Sequence, residues 1–72
     1  MLQKKLGQRI ADLRREIGLT QVQLAGMTGY SVEFVSLVER GANGPSIAGL
    51  EKFAEALKVD VRELFTFGSR KA

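Results

Sequence analysis

The sequence of 72 residues contains no cysteine, no histidine and no tryptophan, and it contains a single proline. Without cysteine, no disulfide can brace the fold and no thiolate can bind a metal ion. Without histidine, the most common general base and the most common metal ligand are both missing. These absences argue against a hydrolase or a metal-dependent enzyme, so we expect a protein without catalytic activity, metal or cofactor.

Long apolar runs are also missing from the sequence. No stretch approaches the roughly 18 apolar residues that a membrane span needs, and charged residues interrupt every apolar segment near the N-terminus. The sequence therefore predicts neither a membrane span nor a signal peptide, and we expect a cytoplasmic protein. Hydrophobic residues make up 44% of the chain, which is enough to form a core. We expect one domain over residues 1–72.

The charge balance is modestly positive, with 11 Lys and Arg against 8 Asp and Glu and a net charge of +3. Such an excess permits a nucleic-acid partner without requiring one. Lys4, Lys5 and Arg9 form a basic cluster near the N-terminus. This cluster is interpreted either as a solvated helix face or as a source of nonspecific attraction to DNA.

Apolar residues in the first segment recur every three or four positions, as on one face of an amphipathic helix. These residues are Leu2, Leu6, Ile10, Leu13 and Ile17. Gly18 follows them, at a position where helices commonly end. The pattern predicts a first helix over about 2–17.

Four further helices are predicted from residues that commonly cap helix starts. Thr20 with Gln23 forms a capping-box pattern for the second helix, and Asp60 with Glu63 forms one for the fifth. The caps assigned to the third and fourth helices are Ser31 and Ser46. The residues predicted to face inward are Leu24, Ala25, Val35, Val38, Ile47, Leu50, Ala54, Leu57 and Leu64. The sequence therefore predicts an all-α fold of five short helices.

The connection between the second and third predicted helices is very short and spans only residues 28–31. Helices this close must cross steeply, which requires a small residue at the crossing and a glycine at the turn. Ala25 and Gly29 meet these two requirements.

The segment TQVQLAGMTGYSVEFVSLVERG at 20–41, with the NGPS that follows it, resembles the helix-turn-helix of the phage-repressor and Cro-like family. Leu24, Ala25, Gly29, Val35 and Val38 fall where that family has its packing residues. The resemblance extends from about residue 6 to residue 65. It implies an all-α, lambda-repressor-like DNA-binding domain with its motif at about 20–40.

The third predicted helix has one buried side, which Val35 and Val38 define at about 100° per residue. The residues that then point away from the core are Glu33, Ser36, Leu37 and Arg40. The resemblance assigns the family's base-reading positions to Val32, Glu33, Ser36 and Leu37. The apolar members would contact thymine methyl groups, and the carboxylate would accept a hydrogen bond from a cytosine amino group.

Structural alternatives exist on this helix. Phe34 lies on a flank and belongs either to the core or to the docking face. Val32 alternatively fills the helix start without reading a base. Glu33 is alternatively a solvated side chain near the positive end of the helix dipole.

Phosphate contacts require only hydrogen-bond donors at helix starts and in adjacent loops. The resemblance assigns these contacts to Gln21, Ser31, Arg40 and Asn43, and the backbone around Ala42 could join them. Arg14 and Glu39 match a family ion pair that holds the first helix against the motif. A phosphate contact from Arg14 is the alternative.

The resemblance implies a sequence-specific transcription regulator, a repressor or an activator, whose partner is double-stranded DNA. With no further domain expected and no small-molecule ligand evident, it resembles compact standalone regulators such as restriction–modification controller proteins. An antitoxin that represses its own operon would look similar. The alternative from another class is a protein-binding module that has kept the fold and lost contact with DNA.

A homodimer is expected, because one short reading helix contacts too few base pairs to select a genomic site. The segment predicted to join the protomers contains Val61, Phe65 and Phe67, since exposed aromatic residues this close together usually mark an interface. In the alternative interpretation, Phe65 closes the core of the monomer and Phe67 lies on its surface. Two-fold pairing at this segment predicts a pseudo-palindromic operator with half-sites about 34 Å apart.

Overall fold

The computed structural model describes residues 2–67, which fold into α-helices and one 3₁₀ helix. The α-helices are α1 (Leu2–Glu16), α2 (Gln21–Thr28), α3 (Val32–Glu39) and α4 (Ile47–Leu57), and the 3₁₀ helix is Val61–Phe65. Residues 2–67 contain no strand, as the all-α prediction requires. No helix within this range is both long and apolar enough to cross a membrane.

The predicted caps of α2, α3 and α4 are confirmed. Thr20 and Gln23 form a reciprocal capping box, in which the Thr20 hydroxyl accepts a hydrogen bond from the Gln23 backbone N–H at 3.0 Å. The Thr20 backbone N–H donates in return to the Gln23 side-chain oxygen at 2.8 Å. Ser31 and Ser46 accept one backbone hydrogen bond each at the starts of α3 and α4. These bonds satisfy N–H groups that the first turn of a helix leaves free.

The prediction of a fifth α-helix is wrong, because the segment Val61–Phe65 forms a 3₁₀ helix instead. Asp60 and Glu63 do not form the predicted capping box: the Asp60 carboxylate accepts a hydrogen bond from the Arg62 backbone N–H at 3.4 Å. The Glu63 backbone N–H donates to the Asp60 carbonyl at 2.9 Å, three residues back. A segment of five residues forms too few i to i−4 hydrogen bonds to offset the entropy lost in nucleating an α-helix. A 3₁₀ helix needs only i to i−3 bonds and so forms in a shorter segment.

One hydrophobic core lies between the helices. Its buried members are Leu6, Ile10, Leu13, Leu24, Ala25, Val35, Val38, Phe53, Ala54, Ala56, Leu57 and Leu64. The predicted inward face of α4 was wrong at one end, because Ile47 is 80% exposed. Phe53, which the sequence analysis did not assign to the core, is fully buried there. The first turn of α4 therefore lies beyond the core, and the apolar face begins at Leu50.

The apolar stripe of α1 is buried only in its central part. Leu2 and Ile17, at its two ends, are 61% and 46% exposed. Gly7 lies where α1 meets the end of α3, and a Cβ atom there would overlap the Val38 carbonyl oxygen and lie 2.8 Å from that of Glu39. A glycine is therefore required at this point for the two backbones to approach.

The turn between α2 and α3 has the geometry that the sequence predicted. Gly29 ends α2 with φ at +83°, in the left-handed region that glycine adopts without strain. Its backbone N–H donates to the Ala25 carbonyl at 2.9 Å, and Ala25 itself is buried. The two helices are thus held together at a sharp, closely packed corner.

Candidate nucleic-acid interface

The two sides of α3 differ in burial and in chemistry. Val35 and Val38 are fully buried against the core. The residues that line a shallow groove on the outer surface of α3 are Glu33, Ser36, Leu37 and Arg40. The same short helix thus packs through one side and offers a separate surface through the other.

Val32 and Phe34, on the flanks of α3, have different environments. Phe34 is half-buried and packs against the core, with its ring centroid 4.6 Å from that of Tyr30. Val32 is 40% exposed and stays on the surface at the start of α3. Phe34 therefore belongs to the core, whereas Val32 is accessible to a ligand that approaches α3.

Tyr30 is a packing residue that the sequence analysis missed. Its ring stacks on that of Phe53 with centroids 5.6 Å apart, and the Lys52 ammonium lies 5.4 Å from its centroid. The Tyr30 hydroxyl oxygen lies so close to Gly49 that a Cβ atom there would be 2.6 Å away. These contacts join the turn before α3 to α4 and fix how α3 is presented.

The outer surface of α3 carries a carboxylate, a hydroxyl, an aliphatic side chain and a guanidinium. Glu33 is exposed in the first turn, and Arg40 is exposed at the opposite end. The Arg40 Nε atom donates to the Ser36 carbonyl at 3.4 Å, which leaves both terminal nitrogens of the guanidinium outside that bond. Such a surface can accept a hydrogen bond from a base amino group, cover a methyl group and donate to a phosphate.

A buried ion pair fastens α1 to α3. Arg14 donates through Nε to Glu39 Oε2 at 2.7 Å and through Nη2 to Glu39 Oε1 at 3.1 Å. Arg14 Nη1 donates to the Leu19 carbonyl at 2.8 Å. All three guanidinium nitrogens therefore bond within the protein, which favours the structural role of Arg14 over a phosphate contact.

Gln21 takes part in the same network. Its Nε2 atom donates to Glu39 Oε1 at 2.9 Å, so the first residue of α2 is held against the end of α3. An amide nitrogen carries two hydrogens, and one of them remains for a further acceptor. The Ser31 hydroxyl accepts the backbone N–H of Phe34 at 3.0 Å and keeps its own hydrogen for donation.

The loop after α3 folds back onto that helix. The backbone N–H groups of Ala42 and Asn43 both donate to the Leu37 carbonyl, at 2.9 Å and 3.3 Å. These bonds use the N–H groups of Ala42 and Asn43 inside the protein, and a phosphate contact from the backbone around Ala42 stays a prediction. Asn43 is exposed in this loop.

The basic cluster of the N-terminal segment is not uniform. The Arg9 side chain is only 12% exposed, and its Nε and Nη2 atoms donate to the Glu63 carbonyl at 2.7 Å and carboxylate at 3.2 Å. Lys4 and Lys5 are exposed. Arg9 thus fastens the 3₁₀ helix to α1 and is not a freely solvated cation.

The residues predicted to join two protomers lie at the end of the described chain. Val61 is half-buried against the core. Phe65 is 37% exposed, and its ring centroid lies 6.2 Å from that of the half-buried Phe67 in an edge-to-face arrangement. Leu64, just before Phe65, is fully buried in the core, whereas the rings of Phe65 and Phe67 form a pair outside it.

Two short helices that cross at a glycine turn, the second with a buried side and a polar outer side, define a helix-turn-helix domain. Residues 5–65 match the family model described as a helix-turn-helix domain. The chain is 39% identical over 75 residues to the uncharacterized HTH-type transcriptional regulator y4dJ of Sinorhizobium fredii. That alignment covers 96% of this chain and 97% of the relative.

Solved structures give the same result. The restriction-modification controller protein C.AhdI from Aeromonas hydrophila is similar at a TM-score of 0.84 and 42% identity, over 86% of this chain and 94% of that one. SinR, a master regulator for biofilm formation solved in complex with DNA, is similar at 0.78 and 38% identity, over 83% and 97%. Four further curated relatives are longer, and the chain spans 39% to 54% of them.

The chain therefore belongs to the helix-turn-helix family of transcriptional regulators, and within it to the phage-repressor-like members. The resemblance drawn from the motif at 20–41 is confirmed.

Proposed function

We propose that this protein binds double-stranded DNA as a homodimer and regulates transcription from a pseudo-palindromic operator, acting in the cytoplasm on the nucleoid. The observation that carries the proposal is the outer surface of α3, where Glu33, Ser36, Leu37 and Arg40 line one groove opposite the buried Val35 and Val38. A helix presented in this way enters the major groove, with its N-terminal residues at the base edges. The similar protein SinR, whose solved structure contains DNA, supports this choice of partner.

Sequence discrimination is assigned to Val32, Glu33, Ser36 and Leu37. Val32 and Leu37 contact thymine methyl groups, and Glu33 accepts a hydrogen bond from a cytosine amino group. The exposure of Val32 at 40% supports its place on this surface. Phe34 has no part in base reading, because its ring packs on Tyr30.

Orientation on the duplex is assigned to Gln21, Ser31, Arg40 and Asn43 through bonds to phosphates. Gln21 and Ser31 each keep one hydrogen outside the bonds that they make within the protein. Arg40 and Asn43 are exposed at the end of α3 and in the loop after it. The Arg14 and Glu39 pair serves this interface indirectly by holding Gln21 in place.

Dimerisation is assigned to Val61, Phe65 and Phe67. The paired rings of Phe65 and Phe67 lie outside the core and offer an aromatic surface to a second copy. Each mismatched base pair costs about 1–3 kcal/mol, so doubling the number of contacted base pairs raises selectivity steeply. The likeness to a restriction-modification controller protein supports a regulatory role.

Selection of bound duplexes from a random DNA pool tests the proposal. We expect an enriched sequence with two-fold symmetry and half-sites about 34 Å apart, whose affinity falls steeply as salt rises. Enrichment of an asymmetric sequence would contradict the dimer. No salt-dependent binding to any duplex would contradict DNA binding and favour the protein-binding module.

A further inference from the structure

Lys4 lies directly against Gly41, the second residue after the end of α3. A Cβ atom on Gly41 would be 2.8 Å from the Lys4 Cα and 3.1 Å from the Lys4 Cβ. The neighbouring Gln3 donates through Nε2 to the Gly41 carbonyl at 3.0 Å. The first turn of α1 is therefore packed on the segment that carries Arg40 and Asn43, the proposed phosphate contacts.

The spacing along α1 shows that this contact belongs to one continuous face. Gly7, one turn after Lys4, lies against the carbonyls of Val38 and Glu39. Arg14, two turns further, bonds to Glu39. Positions three and seven apart lie on the same side of a helix, so one face of α1 packs on the C-terminal end of α3 and on Gly41.

Lys5 belongs to a different face of α1. It lies one turn before Arg9, and residues four apart are neighbours on a helix surface. Arg9 bonds to Glu63 of the 3₁₀ helix. Adjacent residues in a helix differ by about 100° in direction, so the two neighbouring lysines occupy separate surfaces.

The Lys4 side chain is exposed, and no acidic side chain among residues 2–67 forms an ion pair with it. The nearest carboxylate along α3, that of Glu39, is 5% exposed and already binds Arg14. The stem of Lys4 therefore lies against Gly41, which is between Arg40 and Asn43 in the chain, and its ammonium charge is not paired with an acid among residues 2–67. An ammonium group on a four-carbon stem is a common phosphate ligand.

We infer that Lys4 binds a DNA phosphate next to the one contacted by Arg40, whereas Lys5 binds none. This inference rests on the proposed function. It divides the basic cluster of the N-terminal segment into three roles: Lys4 binds the DNA backbone, Lys5 is a solvated cation, and Arg9 holds the 3₁₀ helix.

A competing role for Lys4 is purely structural. Positive charge near the C-terminal end of a helix stabilises that helix, and Lys4 lies at the end of α3. In that role, loss of the charge would lower the thermal midpoint of unfolding. It would leave the salt dependence of DNA binding unchanged, because no counterion release would be lost.

The test compares Lys4→Met with Lys5→Met, which remove the same charge from adjacent positions of one helix. Binding of each full-length variant to a fluorescein-labelled duplex of mixed sequence is followed by anisotropy between about 50 and about 200 mM KCl. We expect Lys4→Met to reduce the slope of log Kobs against log salt by about 0.9 per bound protomer. Lys5→Met should keep the wild-type slope, and Lys4→Arg should keep it as well.

The outcomes separate the inference from the proposed function. An unchanged slope in Lys4→Met, with or without a lower thermal midpoint, would overturn the inference while DNA binding by the wild type stands. Equal slope losses in Lys4→Met and Lys5→Met would also overturn it, because they would indicate a general effect of charge. Absence of salt-dependent binding by the wild type itself would overturn the proposed function and the inference together. Sedimentation of all variants checks that their oligomeric state is the same.

Discussion

The Arg14 guanidinium and the Glu39 carboxylate meet through two parallel bonds, of 2.7 Å and 3.1 Å, although the residues are 25 positions apart. Their side chains are 11% and 5% exposed. Removal of one partner from such a shielded pair strongly destabilises the fold, because the other charge is left buried and uncompensated. The pair joins α1 to the end of α3, so it couples the stability of the domain to the position of the proposed DNA-binding surface.

Arg14→Met should therefore lower the free energy of unfolding by about 3 kcal/mol or more. The double variant Arg14→Met with Glu39→Leu should recover most of that loss, because two apolar side chains leave no unpaired charge. Urea denaturation of the wild type, both single variants and the double variant completes a double-mutant cycle. A double variant no more stable than Arg14→Met alone would show that the charges are not the cause.

Gly7 offers a second test of the contact between α1 and α3. Gly7→Ala places a methyl group on the Val38 carbonyl oxygen and should destabilise the fold by about 1–3 kcal/mol or more. Gly26→Ala is the matched control, since a Cβ at that position of α2 would meet nothing within 4 Å beyond its chain neighbours and the helix's own backbone. It should stabilise the domain by about 0.5–1 kcal/mol through helix propensity. Thermal unfolding measures the stability of both variants. If Gly7→Ala and Gly26→Ala change the stability equally and in the same direction, the close approach of α1 to the end of α3 is contradicted.

The sequence predicts best those features that depend on residues close together in the chain. Thr20, Ser31 and Ser46 cap their helices because a cap needs only the three residues that follow it. The spacing of Val35 and Val38, one turn apart, indicates the buried side of α3 for the same local reason.

Features that depend on residues far apart in the chain could not be predicted from the sequence. Arg9 resembled a solvated cation because nothing near it in the chain indicates Glu63 as its partner. Tyr30 falls in the connection 28–31, and its stacking on Phe53 depends on how α4 packs. A signal for Gly7 did exist: a glycine inside an amphipathic helix is costly and commonly marks a close backbone approach.

Glu33 should act mainly by excluding wrong sites. A carboxylate on the docking surface is repelled by every phosphate and is favoured only where a cytosine amino group is in reach. Glu33→Gln should therefore strengthen binding to random DNA and reduce discrimination at one base pair by about 1–3 kcal/mol. Competition binding on single-base operator variants measures both effects. Unchanged affinity for random DNA together with an unchanged operator preference would place Glu33 outside the interface.

Leu37 and Arg40 line the same groove, and substitutions at the two positions should change DNA binding in different ways. Arg40→Gln removes a proposed phosphate contact, so it should weaken all sequences alike and lower the salt slope by about one. Leu37→Ala removes a proposed methyl contact and should cost about 1–3 kcal/mol at a single base pair. Binding to the operator and to its single-base variants at several salt concentrations separates the two. If Leu37→Ala leaves every base preference intact, Leu37 has no part in base reading.

Phe67 provides the test of the dimer. Its ring packs edge-to-face on that of Phe65 outside the core, so Phe67→Asp should leave the core of the monomer intact. On dimerisation, however, the new carboxylate would lose its hydration, which is unfavourable. Phe67→Asp should weaken the dimer by about 2 kcal/mol or more, as is usual for a central aromatic contact. Val22→Asp is the matched control, because Val22 is an apolar residue that is 65% exposed on a different helix, α2.

Sedimentation equilibrium over a range of micromolar concentrations measures the dissociation constant of the wild type and of both variants. We expect a dimer for the wild type and for Val22→Asp, and a shift to monomer for Phe67→Asp. This shift from dimer to monomer in Phe67→Asp should reduce affinity for the full operator far more than affinity for an isolated half-site. Only the full operator is bound by two reading helices at once. A wild type that sediments as a monomer, or an equal loss in both variants, would contradict dimerisation through Phe65 and Phe67.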